Sequence, residues 1–223
     1  MTDEIREKSN QNHLYSARNL AFEKLRGMNI SDLPSLAGVA MREEDAGKKV
    51  ILIDYLGKPV CIYPQDMICA CEPDDWKELG GPVRLTEEIF ILHYLIQASG
   101  MLPTGNLIPF RSMDGGKAYE KVFHARSVDR LSKTFCNREE LLADVGGLFE
   151  GKPGVMGSVS VRLRVLPHIE LVFILWKGDY ELPPSGNILF DESVLDYLPT
   201  EDCVVMTETV VNRFIHVLKH TVN

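Results

Sequence analysis

Residues 169–176, Ile-Glu-Leu-Val-Phe-Ile-Leu-Trp, constrain the fold more than any other stretch of the chain. A short run that is apolar at nearly every position and rich in β-branched and aromatic side chains reads as a strand covered on both faces. The preceding segment, Ser158–Leu166, alternates apolar and polar residues, as a strand with one wet face does. Only Pro167 and His168 separate the two, so the pair is expected to form a hairpin at the centre of a sheet.

The rest of the chain supplies elements to cover such a sheet. Residues 13–26 read as an amphipathic helix, with Leu14, Ala17, Ala21 and Leu25 at helical spacing and Gly27 as its stop. Residues 37–71 read as a meander of short strands, broken at Gly57-Lys58-Pro59 and punctuated by Pro64 and Pro73. Residues 86–100 form the clearest helix, capped by Thr86, with Glu87 and Glu88 at its positive end and Gly100 after it. It is apolar almost all round and belongs deep in the core.

Next come a short strand, Leu107–Phe110, a Gly-Gly turn with a helix behind it, and a second helix over 138–149. Residues 146–157, with five glycines and a proline, read as a loop and hinge. Residues 201–220 form a last helix whose stripe of Val211, Phe214, Ile215 and Leu218 faces inward. Asn212, Arg213, His216 and His220 fall on the opposite, solvated face. The expected architecture is α+β, a mixed or mostly antiparallel sheet with packed helices. It forms a single domain over 13–223 behind a polar tail, 1–12.

Charge and cysteine usage exclude several function classes. The net charge is −8, from 24 basic and 32 acidic residues, and no basic run interrupts the balance. Binding to a phosphate backbone is driven by Lys and Arg, so no nucleic-acid partner is expected. The longest uninterrupted apolar run, Leu171–Trp176, is too short to span a bilayer. Five cysteines at scattered spacings, with no export signal, read as reduced thiols in a cytoplasm.

Candidate chemistry gathers in a few places. Gly146–Lys152 fits the spacing of a phosphate-binding loop, but Pro153 stands where a Ser or Thr hydroxyl is needed and no helix follows. Cys69-x-Cys71, with Cys61, is too closely spaced for a structural zinc site, and these thiols read as small core hydrophobes. His216 and His220 are four apart, a metal-ligand spacing, on what reads as a wet helix face. No metal ligands are assigned. His93 faces inward with Ile89 and Ile96. It reads as a core histidine bonded to a carbonyl, as an axial cofactor ligand, or as an acid or base.

The two strongest clusters follow the two apolar strands. After Trp176 come Asp179, Glu181, the stiff pair Pro183-Pro184, and later Asp191. Nearby carboxylates can push each other's pKa apart for acid–base work, though Asp and Gly are also ordinary turn residues. After Leu107–Phe110 come Arg111, Gly115, Gly116, Lys117 and Tyr119. An anion fits on Arg111 and those amides; an ion pair between Arg111 and Asp179 or Asp191 accounts for the arginine equally well.

The segments ILHYLIQASG, PFRSMDGGKAYEKVF, LVFILWKGDYELPPSGNILFD and LPTEDCVV together resemble the family catalogued as domain of unknown function 3786. The likeness covers roughly residues 15–220 and is most specific at Trp176, Asp179, Glu181, Pro183, Leu189, Phe190 and Asp191. Tyr180 departs from it, standing where an acid is commoner. The resemblance implies anaerobic bacteria and archaea as hosts, and a place beside corrinoid or iron–sulfur chemistry. Some members carry an added Cys-rich iron–sulfur segment, which is missing here, and no ligand role is carried over from it.

The functional expectation is an accessory domain that binds a cofactor-like or anionic small molecule of unspecified identity. Arg111, Gly115, Gly116, Trp176 and Asp179 line the site, and His93 lies behind it. One alternative is a hydrolase or lyase using Asp179, Glu181 or Asp191. Another is an interaction module that docks on a redox or methyl-transfer protein. All of them except the last require the polar turns after Phe110 and Trp176 to meet in space.

Overall fold

The computed structural model describes residues 2–221. In chain order the helices and strands are α1 (Thr2–Gly27), α2 (Leu33–Ala37), β1 (Ala40–Glu44), β2 (Lys48–Tyr55), β3 (Lys58–Tyr63) and β4 (Ile68–Ala70). They continue with α3 (Pro73–Trp76), α4 (Leu85–Ile96), β5 (Leu107–Pro109), α5 (Gly116–Phe123), α6 (Asp129–Phe135) and α7 (Glu140–Gly147). The chain closes with β6 (Lys152–Pro153), β7 (Val159–Leu166), β8 (Ile169–Trp176), β9 (Ser185–Asp191) and α8 (Thr200–Thr221). One π-helical turn, His124–Val128, joins α5 to α6.

The fold is α+β, with two antiparallel sheets rather than one. The first is the expected meander, in the order β1-β2-β3-β4; the second runs β5-β9-β8-β7-β6. The expected hairpin lies inside the second sheet, with Val159 opposite Leu175 and Leu163 opposite Leu171. Leu171–Leu175 of β8 are buried without exception, as a strand covered on both faces requires. The sheets meet where the amide of Leu56, in the β2–β3 turn, donates to the carbonyl of Val165 at the end of β7 (3.0 Å). A single apolar cluster runs through both sheets and the helices between them. Phe214 of α8, for example, packs against Phe149 and Phe173 with ring centroids 5.1 and 5.0 Å away.

Three boundaries differ from the sequence expectation. The segment expected as a tail is helical from Thr2, because no Gly or Pro interrupts it before Gly27 and good helix formers fill it. The expected hinge over 146–157 is anchored instead: Lys152 and Pro153 pair with Arg162 and Val161. Its glycines serve close approach, since a Cβ on Gly146 would fall 2.6 Å from a Val161 methyl. Finally, α4 begins two residues earlier than a Thr86 cap predicts. Arg84 is the cap, and its amide donates to the Glu87 carboxylate (2.6 Å).

The largest correction concerns α8. It is buried on nearly every face, and Arg213, expected in solvent, is completely enclosed. Its Nε and Nη2 donate to Glu87 Oε1 and Oε2 (2.6 and 2.8 Å). Nη1 donates to the carbonyls of Leu79 and Gly81 (2.7 and 3.0 Å), and Nη2 also to that of Pro82 (3.3 Å). All five guanidinium hydrogens are thus placed. Glu87 is likewise filled, accepting in addition from Tyr55 Oη (2.7 Å) and the Arg84 amide. Trp76 lies under the guanidinium, its ring centre 4.7 Å from the Arg213 Cζ, and stacks on Tyr55. Burial, the largest single influence, opposes the charge on Arg213, but the bonds and charges of Glu87 and Tyr55 together outweigh it and raise the pKa.

A second polar knot ties the β7–β8 hairpin to α2 and α4. Tyr197 Oη donates to the Met101 carbonyl (2.6 Å), which leaves its oxygen to accept from His168 Nδ1 (2.7 Å). Tyr94 Oη donates to Ala37 O (2.7 Å) and accepts the His168 amide (3.2 Å). Burial lowers the His168 pKa from its ordinary 6.5, so the folded protein holds this ring neutral.

Two expected outcomes follow. Arg213→Met or Glu87→Leu alone strands a buried charge and lowers the free energy of unfolding by about 3–5 kcal/mol, whereas the double variant regains most of the loss. Urea denaturation of the three variants measures this, and a double variant no better than either single would refute it. For His168, the unfolded chain takes up a proton near pH 6.5 while the folded chain resists it. Stability is therefore full above that pH and declines as the pH falls through it. Thermal melts between pH 8 and 5 should show this decline, and His168→Gln should make it shallower.

Candidate functional site

The register of the second sheet decides whether the two polar turns meet. β9 lies between β5 and β8 and is antiparallel to both. Strands β5 and β8 therefore run parallel, and their carboxyl ends emerge at the same edge. Trp176 sits opposite Ser185, and Pro109 opposite Leu189. Arg111 and Trp176 accordingly line one cleft of about 260 Å3, with Asn187 of β9 between them.

Its floor is aromatic. Phe110 and Phe123 stack with centroids 4.2 Å apart and planes 6° from parallel, and both are buried. Above them, Trp176 keeps 40% of its surface exposed. Arg111, with 60% of its side chain exposed, has one distant acidic neighbour, Glu120 at 3.7 Å. A pair at that distance and exposure holds the guanidinium weakly, so it remains available as a donor. Glu120 also lines the cleft, as does His124, the first residue of the π-helical turn. Such turns are rare and recur at functional sites. His124 had no signal in the sequence, because a π-turn reads there as ordinary helix.

The remaining expected site residues lie elsewhere or are occupied. Gly115 adopts a left-handed conformation (φ 70°) that starts α5, and the Gly116 amide bonds the Met113 carbonyl (3.0 Å). A Cβ on Gly116 would collide with the Phe110 carbonyl, so both glycines shape the turn below Arg111, and the Gly116 amide is not free for an anion. Asp179 turns away into a different cleft, with Cys136, Lys177 and Pro184. Its carboxylate accepts the amides of Leu182 and Glu181 (2.8 Å each), which lower its pKa. His93 does not line the cleft. It is half-buried on α4, and its Nδ1 meets Asp202 Oδ2 of α8 at 2.6 Å.

Asp179 and Asp191 do not form a carboxylate pair. Asp179 follows β8 at one end of β9, whereas Asp191 ends β9 at the other, six residues or roughly 20 Å from Ser185. Asp191 is enclosed and accepts the amides of Thr104, Gly105 and Ser193 (3.0, 2.6 and 3.1 Å). Burial would raise its pKa, but these bonds prevail and lower it. Both acids are turn and cap residues, and Glu181 stands exposed without them. Asp179 and Asp191 are thus too far apart to act together as acid and base.

The cysteines and the last two histidines are equally plain. Cys69 and Cys71 pack against the core, and burial raises the Cys69 thiol pKa. His216 and His220 lie edge to face with centroids 4.2 Å apart. Among the described residues no group of three or more His, Cys, Asp or Glu is arranged to hold a metal ion. Nor is any helix long and apolar enough to cross a membrane.

No curated protein and no solved structure matches this chain. A family model does, described as Domain of unknown function (DUF3786), over residues 30–213. That span takes in both sheets, the strand-end cleft and the Glu87–Arg213 pair. The chain belongs to the DUF3786 family, as the order of residues from Trp176 to Asp191 led us to expect.

Proposed function

We propose that this protein is a binding domain for a small planar molecule carrying a carboxylate or phosphate, held in the cleft between Arg111 and Trp176. The observation that carries this reading is the joint lining of that cleft by a half-exposed indole and a weakly paired guanidinium above a stacked aromatic floor. An exposed Trp face offers a stacking surface, and a guanidinium offers a forked pair of donors to a planar anion. Ligand pockets usually occupy about 300–1,000 Å3, so this cleft suits one or two fused rings and not a large cofactor. A complete corrinoid exceeds it. On the strength of the family resemblance, the reading extends to an accessory role in the cytoplasm of an anaerobe, on a small precursor or fragment in corrinoid or iron–sulfur metabolism.

The protein contains its own reporter. Of its two tryptophans, Trp76 is wholly buried and Trp176 is at the cleft. Titration with nicotinate, pyridoxal phosphate and related aromatic carboxylates and phosphates should quench Trp176 emission saturably with at least one of them. Arg111→Gln should weaken that ligand about 10- to 100-fold, since a hydrogen bond to a charged group is lost. Trp176→Phe should remove the signal, and neither change should move the melting midpoint. If no compound quenches, or if Arg111→Gln binds as tightly as the parent, the reading fails.

A further inference from the structure

A groove of about 520 Å3 runs between α6 and α8, away from the strand-end cleft. Arg130, Lys133, Arg138 and Lys219 form its walls, and Ile215 and Leu218 its floor. Among the described residues no carboxylate lines it, although the chain carries 32 acidic residues against 24 basic. Arg130, Lys133 and Arg138 are in no ion pair with any described residue. Cations near the carboxyl ends of helices complement the helix dipole, which accounts for their positions along α6 and α8. It does not account for the absence of acids across the groove.

We propose that this groove is the docking surface for an acidic amphipathic helix of a partner protein. Three observations select that occupant. The cations are strung along α6 and the connection that follows it instead of converging on one point, so they match a row of carboxylates better than a single phosphate. The groove lies along helix flanks toward their carboxyl ends, where no free amides point inward as phosphate sites require. Its floor is apolar, with Ile215 and Leu218 three residues apart on one helix face, so it accepts the apolar stripe of a helix whose acids lie to either side. On a chain of net charge −8, an acidic partner is repelled from most of the surface and steered to this groove.

The test uses the full chain and a fluorescein-labelled peptide with Leu at i, i+3, i+4 and i+7 and Glu at the remaining positions. Fluorescence anisotropy should show saturable binding that weakens with salt. The triple substitution Arg130→Gln, Lys133→Gln, Arg138→Gln should weaken it at least about tenfold, and Lys133→Glu alone should weaken it measurably. The same composition with its Leu residues scattered round the helix should also bind at least about tenfold more weakly, because the apolar floor is then unused. Trp176→Phe should have no effect, which separates this site from the strand-end cleft. Three results would overturn the proposal: undiminished binding by the triple variant, equal binding of the scattered peptide, or equal binding of an RNA oligomer of the same charge. A dimer in sedimentation that the triple variant abolishes would also overturn it, assigning the groove to a second copy of the chain.

Discussion

The enclosed pair of Glu87 and Arg213 is the contact on which the rest of the architecture depends. Removing two full charges from water carries a penalty of several kcal/mol per ion, so such a pair survives only when every donor and acceptor is used. Here the guanidinium and the carboxylate bond to each other twice, and the leftover positions are taken by Tyr55, the Arg84 amide and three carbonyls between Leu79 and Pro82. Those groups come from β2, the start of α4, the segment after α3, and α8. One interaction therefore fixes four parts of the chain, and few other packings could satisfy the same set. Its contribution is to specificity at least as much as to stability, because an apolar pair would fill the same space without dictating geometry.

With α4 and α8 fixed in this way, the second sheet holds its carboxyl-end edge in a set position. The cleft at that edge follows from strand order: placing β9 between β5 and β8 makes the outer two parallel and brings their exits together. The stacked Phe110 and Phe123 then join β5 to the α5 helix, and the π-turn re-aims His124 toward the same space. Arg111 and Trp176 are 65 positions apart in sequence, yet adjacent in the fold for this topological reason alone.

Local patterns carried most of the elements and little of their assembly. The β7–β8 hairpin, the meander, and the helices α4 and α8 are legible because hydrophobic period and turn residues are near-neighbour properties. Burial of Arg213 was not legible, since periodicity assigns a charged residue to the wet face, and only the distant Glu87 reverses that assignment. The glycines of 146–157 misled for a related reason. A glycine needed for close helix–sheet approach has the same sequence signature as one needed for flexibility. At the site, Arg111 and Trp176 were found from their place at strand ends, whereas Asp179 and His93 were grouped with them only by proximity in sequence or by shared burial.

A division of labour between the two signs of charge connects these results. Two of the three acids that sequence patterns offered as catalysts are engaged in architecture: Asp191 closes the 104–105 loop and Asp179 the turn after β8, while Asp202 meets His93 and Glu87 holds Arg213. Carboxylates suit that work, because each accepts several backbone amides at once. The cations along α6 are spent on no such task, and Arg111 has only its distant pair with Glu120. In a chain with surplus negative charge, leaving cations unpaired or weakly paired costs electrostatic stabilisation that nearby acids could readily have supplied. Their placement beside an aromatic cleft and over an apolar floor is the physical basis on which the two proposed anion-binding surfaces rest.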